Sequence, residues 1–280
     1  MRPGAGRHAR RWLLNGLVLG LCLVILFPVY WMVLSVVQPS RHTMRFPPRL
    51  VPVELHLAPF AELFAELPIL RWIANSTLLA AMSTAIVLAL AVLGAYALSA
   101  LPRWRGRGGF AFFLLVTQML PEALIVIPIF AIFRRVGLRE GLPGLALIDA
   151  AFVLPIGVWI LKNLFDRIPR DIYDAALVDG CGPLGTLWRI VLPLSRPALV
   201  AVGVVAFFQA WNEFLFASTM VTRESIRPAS VGLASLISML DTPIERVLAA
   251  GLVFAVLPVT FYIVVQRHVV SGLTAGAVKG

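Results

Sequence analysis

Long apolar segments without a charged residue constrain this chain more than any other feature of its sequence. The first, Leu13 to Val37, contains 25 residues and no Asp, Glu, Lys or Arg. A helix needs about 20 apolar residues to cross the hydrocarbon core of a bilayer. Only 14% of all residues are charged, whereas soluble domains contain roughly 25%. The chain is therefore predicted to be an all-α integral membrane protein.

Six transmembrane helices are predicted from the apolar segments. They cover approximately Leu13–Val37, Trp72–Leu101, Phe110–Phe133, Leu142–Leu161, Pro197–Val221 and Val247–Val265. Arginines before the first segment are typical of a signal peptide, but the segment is too long for one and is predicted to be an uncleaved span. In residues 55–67, apolar and acidic residues alternate at helical spacing, which predicts an interfacial helix.

The spans divide the chain into three predicted parts. Residues 1–71 would contain the N-terminal tail, the first span and an outer loop. Residues 72–266 would form a five-helix transmembrane domain, and residues 267–280 a cytoplasmic tail.

The distribution of basic residues predicts the orientation. With both termini in the cytoplasm, 14 of the 24 Lys and Arg residues lie on the inner side, as the positive-inside rule requires. The densest group is Arg103, Arg105 and Arg107 in the turn after the second span. The net charge of +10 is thus assigned to lipid headgroups and topology, and not to nucleic acid. The predicted location is the cytoplasmic membrane.

Constellations typical of enzymes are absent from the sequence. The four histidines are scattered, the two cysteines form no CxxC pair, and no GxxxxGK[ST] phosphate loop occurs. A membrane-embedded enzyme therefore has no support, and no cofactor is predicted. If ATP drives a function of this chain, another subunit must bind and hydrolyse it.

Polar residues inside the predicted spans are candidates for a solute pathway. A carboxylate at the bilayer centre costs roughly 2.5–3.5 kcal/mol, so such groups usually face a bundle interior or a cavity. The pathway candidates are Gln118, Glu122, Trp211, Asn212 and Glu213. The alternative role is interhelical hydrogen bonding or a position near a lipid headgroup, and this alternative is favoured for Asp149. An ion-gradient-driven secondary transporter or channel is the alternative function, because acidic residues in register could relay protons.

The segment from Asp171 to Leu194 is the longest that is neither a span nor a chain end. Pro169 is predicted to open a short helix, and Gly180, Gly182 and Pro183 to break it. A second short helix would follow and end at Pro193. A helical hairpin over about residues 169–197 is expected to serve as a contact surface.

The hairpin carries a recognisable spacing. Asp174, Ala175 and Ala176 are followed by three residues and Gly180, and nine more residues lead to Ile190, Leu192 and Pro193. This resembles the EAA motif of binding-protein-dependent ABC importer permeases, EAA-x3-G-x9-I-x-L-P. Asp174 replaces the usual glutamate, which keeps the charge and shortens the side chain by one methylene.

The resemblance covers almost the whole chain. Thr117 to Pro121, Trp211 to Phe214 and Gly272 to Gly280 are similar to segments of the carbohydrate branch, nearest the smaller permease of maltose-type importers. It implies a type I ABC importer transmembrane fold whose hairpin, between helices 4 and 5, contacts a separate ATPase subunit. It further implies a second homologous permease, two ATPase subunits, an extracytoplasmic solute-binding protein, and import of a sugar or related polar solute by alternating access.

Overall fold

A computed structural model describes residues 5–43, 45–100, 105–238 and 242–274, and the regular structure in these ranges is helical. The helices are α1 (Ala5–Val37), α2 (Ser40–Thr43), α3 (Ala58–Glu66), α4 (Ile69–Ser99), α5 (Arg107–Thr117), α6 (Glu122–Arg135), α7 (Leu142–Phe165), α8 (Arg170–Val178), α9 (Pro183–Thr186), α10 (Leu192–Leu194), α11 (Arg196–Trp211), α12 (Leu215–Met220), α13 (Ala229–Ser238) and α14 (Ile244–Thr274). A π-helical turn covers Leu187–Val191 and a 3-10 turn covers Glu224–Ile226. The all-α prediction is confirmed.

Five segments of the described chain are long and apolar enough to cross a membrane. They are Arg10–Val37, Ile69–Ser99, Leu142–Phe165, Arg196–Met220 and Ile244–Arg267. A sixth span results if α5 and α6 are counted as one, although they meet at an angle of 99°. Three parts of the prediction lie outside the described residues. They are the end of the second span at Leu101, the basic residue Arg103 in the turn that follows, and the part of the cytoplasmic tail after residue 274.

The third predicted span, Phe110–Phe133, is not a continuous helix. It breaks between Thr117 and Glu122, where Pro121 has an extended backbone with ψ of 126°. Proline lacks an N–H donor and pushes the preceding residue out of the α region. The chain therefore ends α5 and starts α6 in a new direction.

One compact unit comprises residues 69–235 and 255–280. Its core forms where α4, α7 and α11 pack together, around buried residues such as Val87, Leu161 and Val202. Gly157 lies at the crossing, and a Cβ there would approach side chains of Val202, Ala91 and Val87 at 3.1–3.3 Å. Small residues allow membrane helices to approach this closely.

The other compact unit comprises residues 1–68 and 236–254. Helix α3 confirms the helix predicted in residues 55–67, whereas its interfacial position stays a prediction. The Arg246 guanidinium donates to the carboxylates of Glu62 and Glu66 at 2.7 Å each, and so joins the start of α14 to α3. Most of α1 from Trp12 to Tyr30 exposes its apolar side chains, as expected of a segment in contact with lipid or with another membrane protein.

The second hairpin helix, predicted to end at Pro193, ends one residue later at Leu194. Pro193 lies inside α10, near the end of a helical run that begins before it. The π-helical turn leads directly into α10, and the chain changes direction only at the buried Ser195, whose N–H donates to Val191 at 3.0 Å.

Candidate functional site

The tip of the hairpin, residues 169–197, is shaped by a left-handed glycine. Gly180 has φ of +79°, directly after the end of α8. Its N–H donates to the carbonyl of Leu177 at 3.0 Å, and the N–H of Cys181 donates to Ala176 at 2.9 Å. These two bonds form a Schellman motif, which satisfies the last carbonyls of the helix and favours glycine at this position.

Polar contacts fasten the hairpin to the end of α4. The Tyr96 hydroxyl donates to the carbonyl of Pro183 at 2.9 Å. The Arg170 guanidinium donates to the carbonyls of Ser99 at 3.0 Å and Ala100 at 3.3 Å. Both halves of the hairpin are therefore tied to α4, which belongs to the three-helix core.

Apolar packing strengthens this attachment. Tyr173 of α8 and Leu187 and Val191 of the π-helical turn are buried in the same cluster as Leu161 and Phe165 of α7. A buried aliphatic side chain contributes roughly 1.5–3 kcal/mol relative to an exposed one. The hairpin and the three-helix core are thus expected to move as one body.

The opposite face of the hairpin is apolar and exposed. We call it the apolar tip and define it by the exposed side chains of Leu177, Val178, Leu184 and Trp188; Val178 is 88% exposed and Trp188 66%. The predicted coupling residues lie around it. Asp174, Ala175, Gly180 and Pro193 are exposed, Ile190 and Leu192 are half-buried, and Ala176 is buried.

An ion cluster lies where α7 leads into the hairpin. We define it by Arg107, Lys162 and Asp166. The Asp166 carboxylate accepts a hydrogen bond from Lys162 Nζ at 2.5 Å and another from the Ser99 hydroxyl, and it lies 3.8 Å from the Arg107 guanidinium. Burial alone would raise the pKa of Asp166, but these hydrogen bonds and the two positive charges lower it below its ordinary value. The carboxylate therefore stays ionised at neutral pH.

A polar pocket of about 150 Å³ lies beside the break between α5 and α6. It is lined by Thr117, Gln118, Leu120, Glu122, Phe152, Val153, Ile156, Val205 and Gln209. Gln118 is held in place because its side-chain amide donates to the carbonyl of Phe152 at 2.9 Å. The structure thus brings two of the five predicted pathway residues, Gln118 and Glu122, to one place.

Gln209 and Thr117 were missed as pathway candidates. Gln209 is an uncharged polar residue in the middle of an otherwise apolar segment, and that signal was available in the sequence. Thr117 has no such signal, because its hydroxyl also donates to the carbonyl of Leu114 at 2.7 Å, as threonines in helices commonly do.

The other three predicted pathway residues lie at the break between α11 and α12, away from the lining of the polar pocket. Trp211 is buried and stacks on Phe207, with ring centroids 6.0 Å apart. The Asn212 amide donates to the carbonyl of Phe208 at 2.8 Å. The Glu213 carboxylate accepts from the N–H groups of Phe216 and Ala217 at 2.7 and 2.8 Å, which caps α12.

Comparison with known proteins gives the family. The family described as "Binding-protein-dependent transport system inner membrane component" matches residues 88–274. The inner membrane ABC transporter permease protein YcjP of Escherichia coli (strain K12) is 34% identical, over 92% of either chain. The trehalose/maltose transport system permease protein MalG of Thermococcus litoralis is 31% identical, over 93% of this chain and 94% of its own.

A solved structure agrees with these relatives. The fold is similar, with a TM-score of 0.79 and 26% identity, to a chain in the crystal structure of a bacterial ABC transporter involved in the import of the acidic polysaccharide alginate. The match covers 95% of this chain and 99% of the other. Taken with the hairpin and the helical fold, these similarities confirm the resemblance inferred from the sequence. Proteins of this family are multi-pass permease subunits of ABC transporters, which act in the cytoplasmic membrane as transport proteins and not as enzymes. The chain belongs to this family, the binding-protein-dependent transport system inner membrane components.

Proposed function

We propose that this chain is the permease subunit of an ATP-driven importer for a sugar or a related polar solute. The observation that carries this function is the hairpin, which is tied firmly to the three-helix core and presents the apolar tip. The relatives support the substrate class, since the Thermococcus litoralis protein is a trehalose/maltose permease and the solved structure belongs to an alginate importer.

The hairpin couples the permease to a separate ATPase subunit. Exposed apolar side chains outside a membrane span usually mark a protein interaction site, and the apolar tip fits that description. The coupling residues are Asp174, Ala175, Ala176, Gly180, Ile190, Leu192 and Pro193. Movement of the docked ATPase would pass through Tyr173 and Leu187 into α7, and so drive alternating access.

The remaining subunits supply what this chain lacks. ATP is bound and hydrolysed by two partner ATPase subunits, so this chain holds no cofactor of its own. A second, homologous permease completes the membrane pathway, and an extracytoplasmic binding protein delivers the solute. The chain crosses the membrane six times, with α5 and α6 counted as one broken span and both termini in the cytoplasm, as the basic residues indicate.

Uptake by the reconstituted transporter should require ATP. The chain is placed in liposomes with its partner permease and ATPase subunits, and the probe is the radiolabelled sugar that stabilises the cognate binding protein most strongly in a thermal-shift screen. We expect uptake only when ATP and the binding protein are both present. Uptake that ignores ATP and follows a proton or sodium gradient would identify a secondary transporter instead.

A Gln209→Leu variant tests the polar pocket. Gln209 offers hydrogen bonds to a hydroxylated solute, and losing one such bond costs roughly 0.5–1.5 kcal/mol. We expect the initial uptake rate at sub-saturating solute to fall about threefold to tenfold. Gln266→Leu is the matched control, because Gln266 is exposed on α14 and is absent from the pocket lining. Equal rates in the two variants would contradict a role for the pocket in solute passage.

A further inference from the structure

A groove of about 490 Å³ runs between α5 and α7, and no step of the proposed transport uses it. It is lined by Arg107, Gly108, Ala111, Phe112, Leu115, Trp159 and Lys162. Along α5 the lining residues recur once per helical turn, so they lie on the same side of the helix. Trp159 and Lys162 likewise lie one turn apart on α7. The groove is therefore a continuous cleft between two helical faces.

The groove is polar at one end and apolar along the rest. Arg107 stands at the start of α5 and Lys162 in the last turn of α7. Both cations therefore lie at the same end of the groove. Phe112, which is 68% exposed, and Leu115 continue the groove along α5 toward the middle of the membrane. A charged end followed by an apolar wall matches the order of headgroup and acyl chain in a lipid.

The charges at the polar end complement a single anion. Arg107 and Lys162 carry two positive charges, and Asp166 carries one negative charge because its lowered pKa keeps it ionised at neutral pH. The net charge of these three groups is therefore +1, which would neutralise the single negative charge of one phosphodiester. Lys162 Nζ also lies 5.6 Å from the centre of the Trp159 ring, and tryptophan is enriched at the headgroup level of membrane proteins.

Backbone donors add to the polar end. Gly108 belongs to the first turn of α5, whose N–H groups have no intrahelical acceptor. The preceding Gly106 contributes no side-chain cap, and a Cβ at Gly108 would meet no atom within 4 Å. A phosphate oxygen placed between the two cations thus has room to approach this helix end.

We propose that the groove binds one anionic phospholipid with a singly charged headgroup, of the phosphatidylglycerol type. Its phosphate lies between Arg107 and Lys162, and one acyl chain follows Phe112 and Leu115. Basic pockets between transmembrane helices are known binding sites for anionic headgroups. A soluble phosphate would satisfy the cations but would make no contact with the apolar wall of the groove.

The test measures which lipid the assembled transporter retains. The complete transporter is reconstituted in vesicles with equal amounts of phosphatidylglycerol and phosphatidylcholine, re-extracted in detergent, washed, and analysed by mass spectrometry for retained lipid per chain. We expect phosphatidylglycerol to be enriched over phosphatidylcholine. Lys162→Gln should reduce this enrichment roughly fivefold, which corresponds to about 1 kcal/mol per basic residue near a membrane surface.

Two glycine variants separate the groove from general charge and stability effects. Gly108→Phe places a ring in the groove without removing a charge and should abolish the enrichment. Gly109→Phe is the matched control, since Gly109 is the next residue, has equally open space and does not line the groove. Arg196→Gln removes one positive charge at the start of α11 and should leave the enrichment unchanged.

Three results would overturn the lipid site. The first is equal retention of the two lipids by the unmodified transporter. The second is an equal effect of Gly108→Phe and Gly109→Phe. The third is enrichment that occurs with the isolated chain but disappears in the complete transporter, which would show that the groove is covered by another subunit.

Discussion

Replacing Gly180 with valine is expected to lower ATP-coupled uptake more than tenfold while the chain still inserts and folds. Gly180 has φ of +79°, where an L-residue costs roughly 1–2 kcal/mol and a β-branched residue costs more. About 2 kcal/mol lowers the ratio of native to non-native hairpin conformations by more than a factor of ten. The measurement is uptake in proteoliposomes, together with the amount of ATPase subunit that co-purifies with the permease.

Gly182→Val is the control for this variant. Gly182 has φ of −68° and ψ of 169°, which valine adopts readily, and no atom lies within 4 Å of a Cβ placed there. It should retain most of the uptake and of the bound ATPase subunit. If Gly180→Val transports at the unmodified rate, the shape of the hairpin tip is not needed for coupling.

A second large effect is expected for Gly157→Leu, this time on folding. A Cβ at position 157 would already stand 3.1 Å from Val202, 3.2 Å from Ala91 and 3.3 Å from Val87. A leucine must therefore push α4 and α11 away from α7. Overpacking of this kind costs roughly 3 kcal/mol or more, which corresponds to about 6–12 °C in the midpoint of thermal unfolding. The measurement is the loss of monodisperse protein with temperature in detergent.

The same substitution at Gly251 provides the comparison. Gly251 lies in α14, and nothing stands within 4 Å of a Cβ built there. Gly251→Leu should keep the midpoint within about 2 °C of the unmodified protein, since substitutions away from packed sites usually change stability by less than roughly 0.5 kcal/mol. Equal losses in the two variants would mean that the crossing at Gly157 is not tightly packed.

The long helices could be predicted because their signal is local and strong. Apolar segments of about 19 to 30 residues predicted α1, α4, α7 and α14, and the predicted ends of α4 and α7 lie within four residues of those observed. The break between α5 and α6 could not be predicted with the same security. Pro28, Pro128, Pro155 and Pro258 also lie in apolar segments, yet each sits inside a helix that continues. Whether a proline breaks a membrane helix depends on which neighbours replace the lost hydrogen bonds.

The candidate site could also be predicted only in part from the sequence. The prolines and glycines of the sequence predicted the hairpin and the turn at Gly180, because the Schellman turn depends on local residues. The pathway residues were harder. In a continuous helix Gln209, Asn212 and Glu213 would share one face, but α11 ends at Trp211. Asn212 and Glu213 instead form hydrogen bonds with backbone groups of α11 and α12, respectively, and no pattern of residue types distinguishes that role from lining a pathway.

The 99° bend between α5 and α6 limits where lipid can touch this chain. Two helix ends meet there, and each leaves backbone groups without intrahelical partners. Hydrocarbon offers no donor or acceptor, so non-helical backbone persists at membrane depth only where protein or enclosed water surrounds it. Met119 and Leu120 at the bend are nevertheless largely exposed, Met119 by 79%. In a bilayer the bend therefore has to be covered by a protein neighbour or by enclosed water, and the second permease proposed above would meet this requirement.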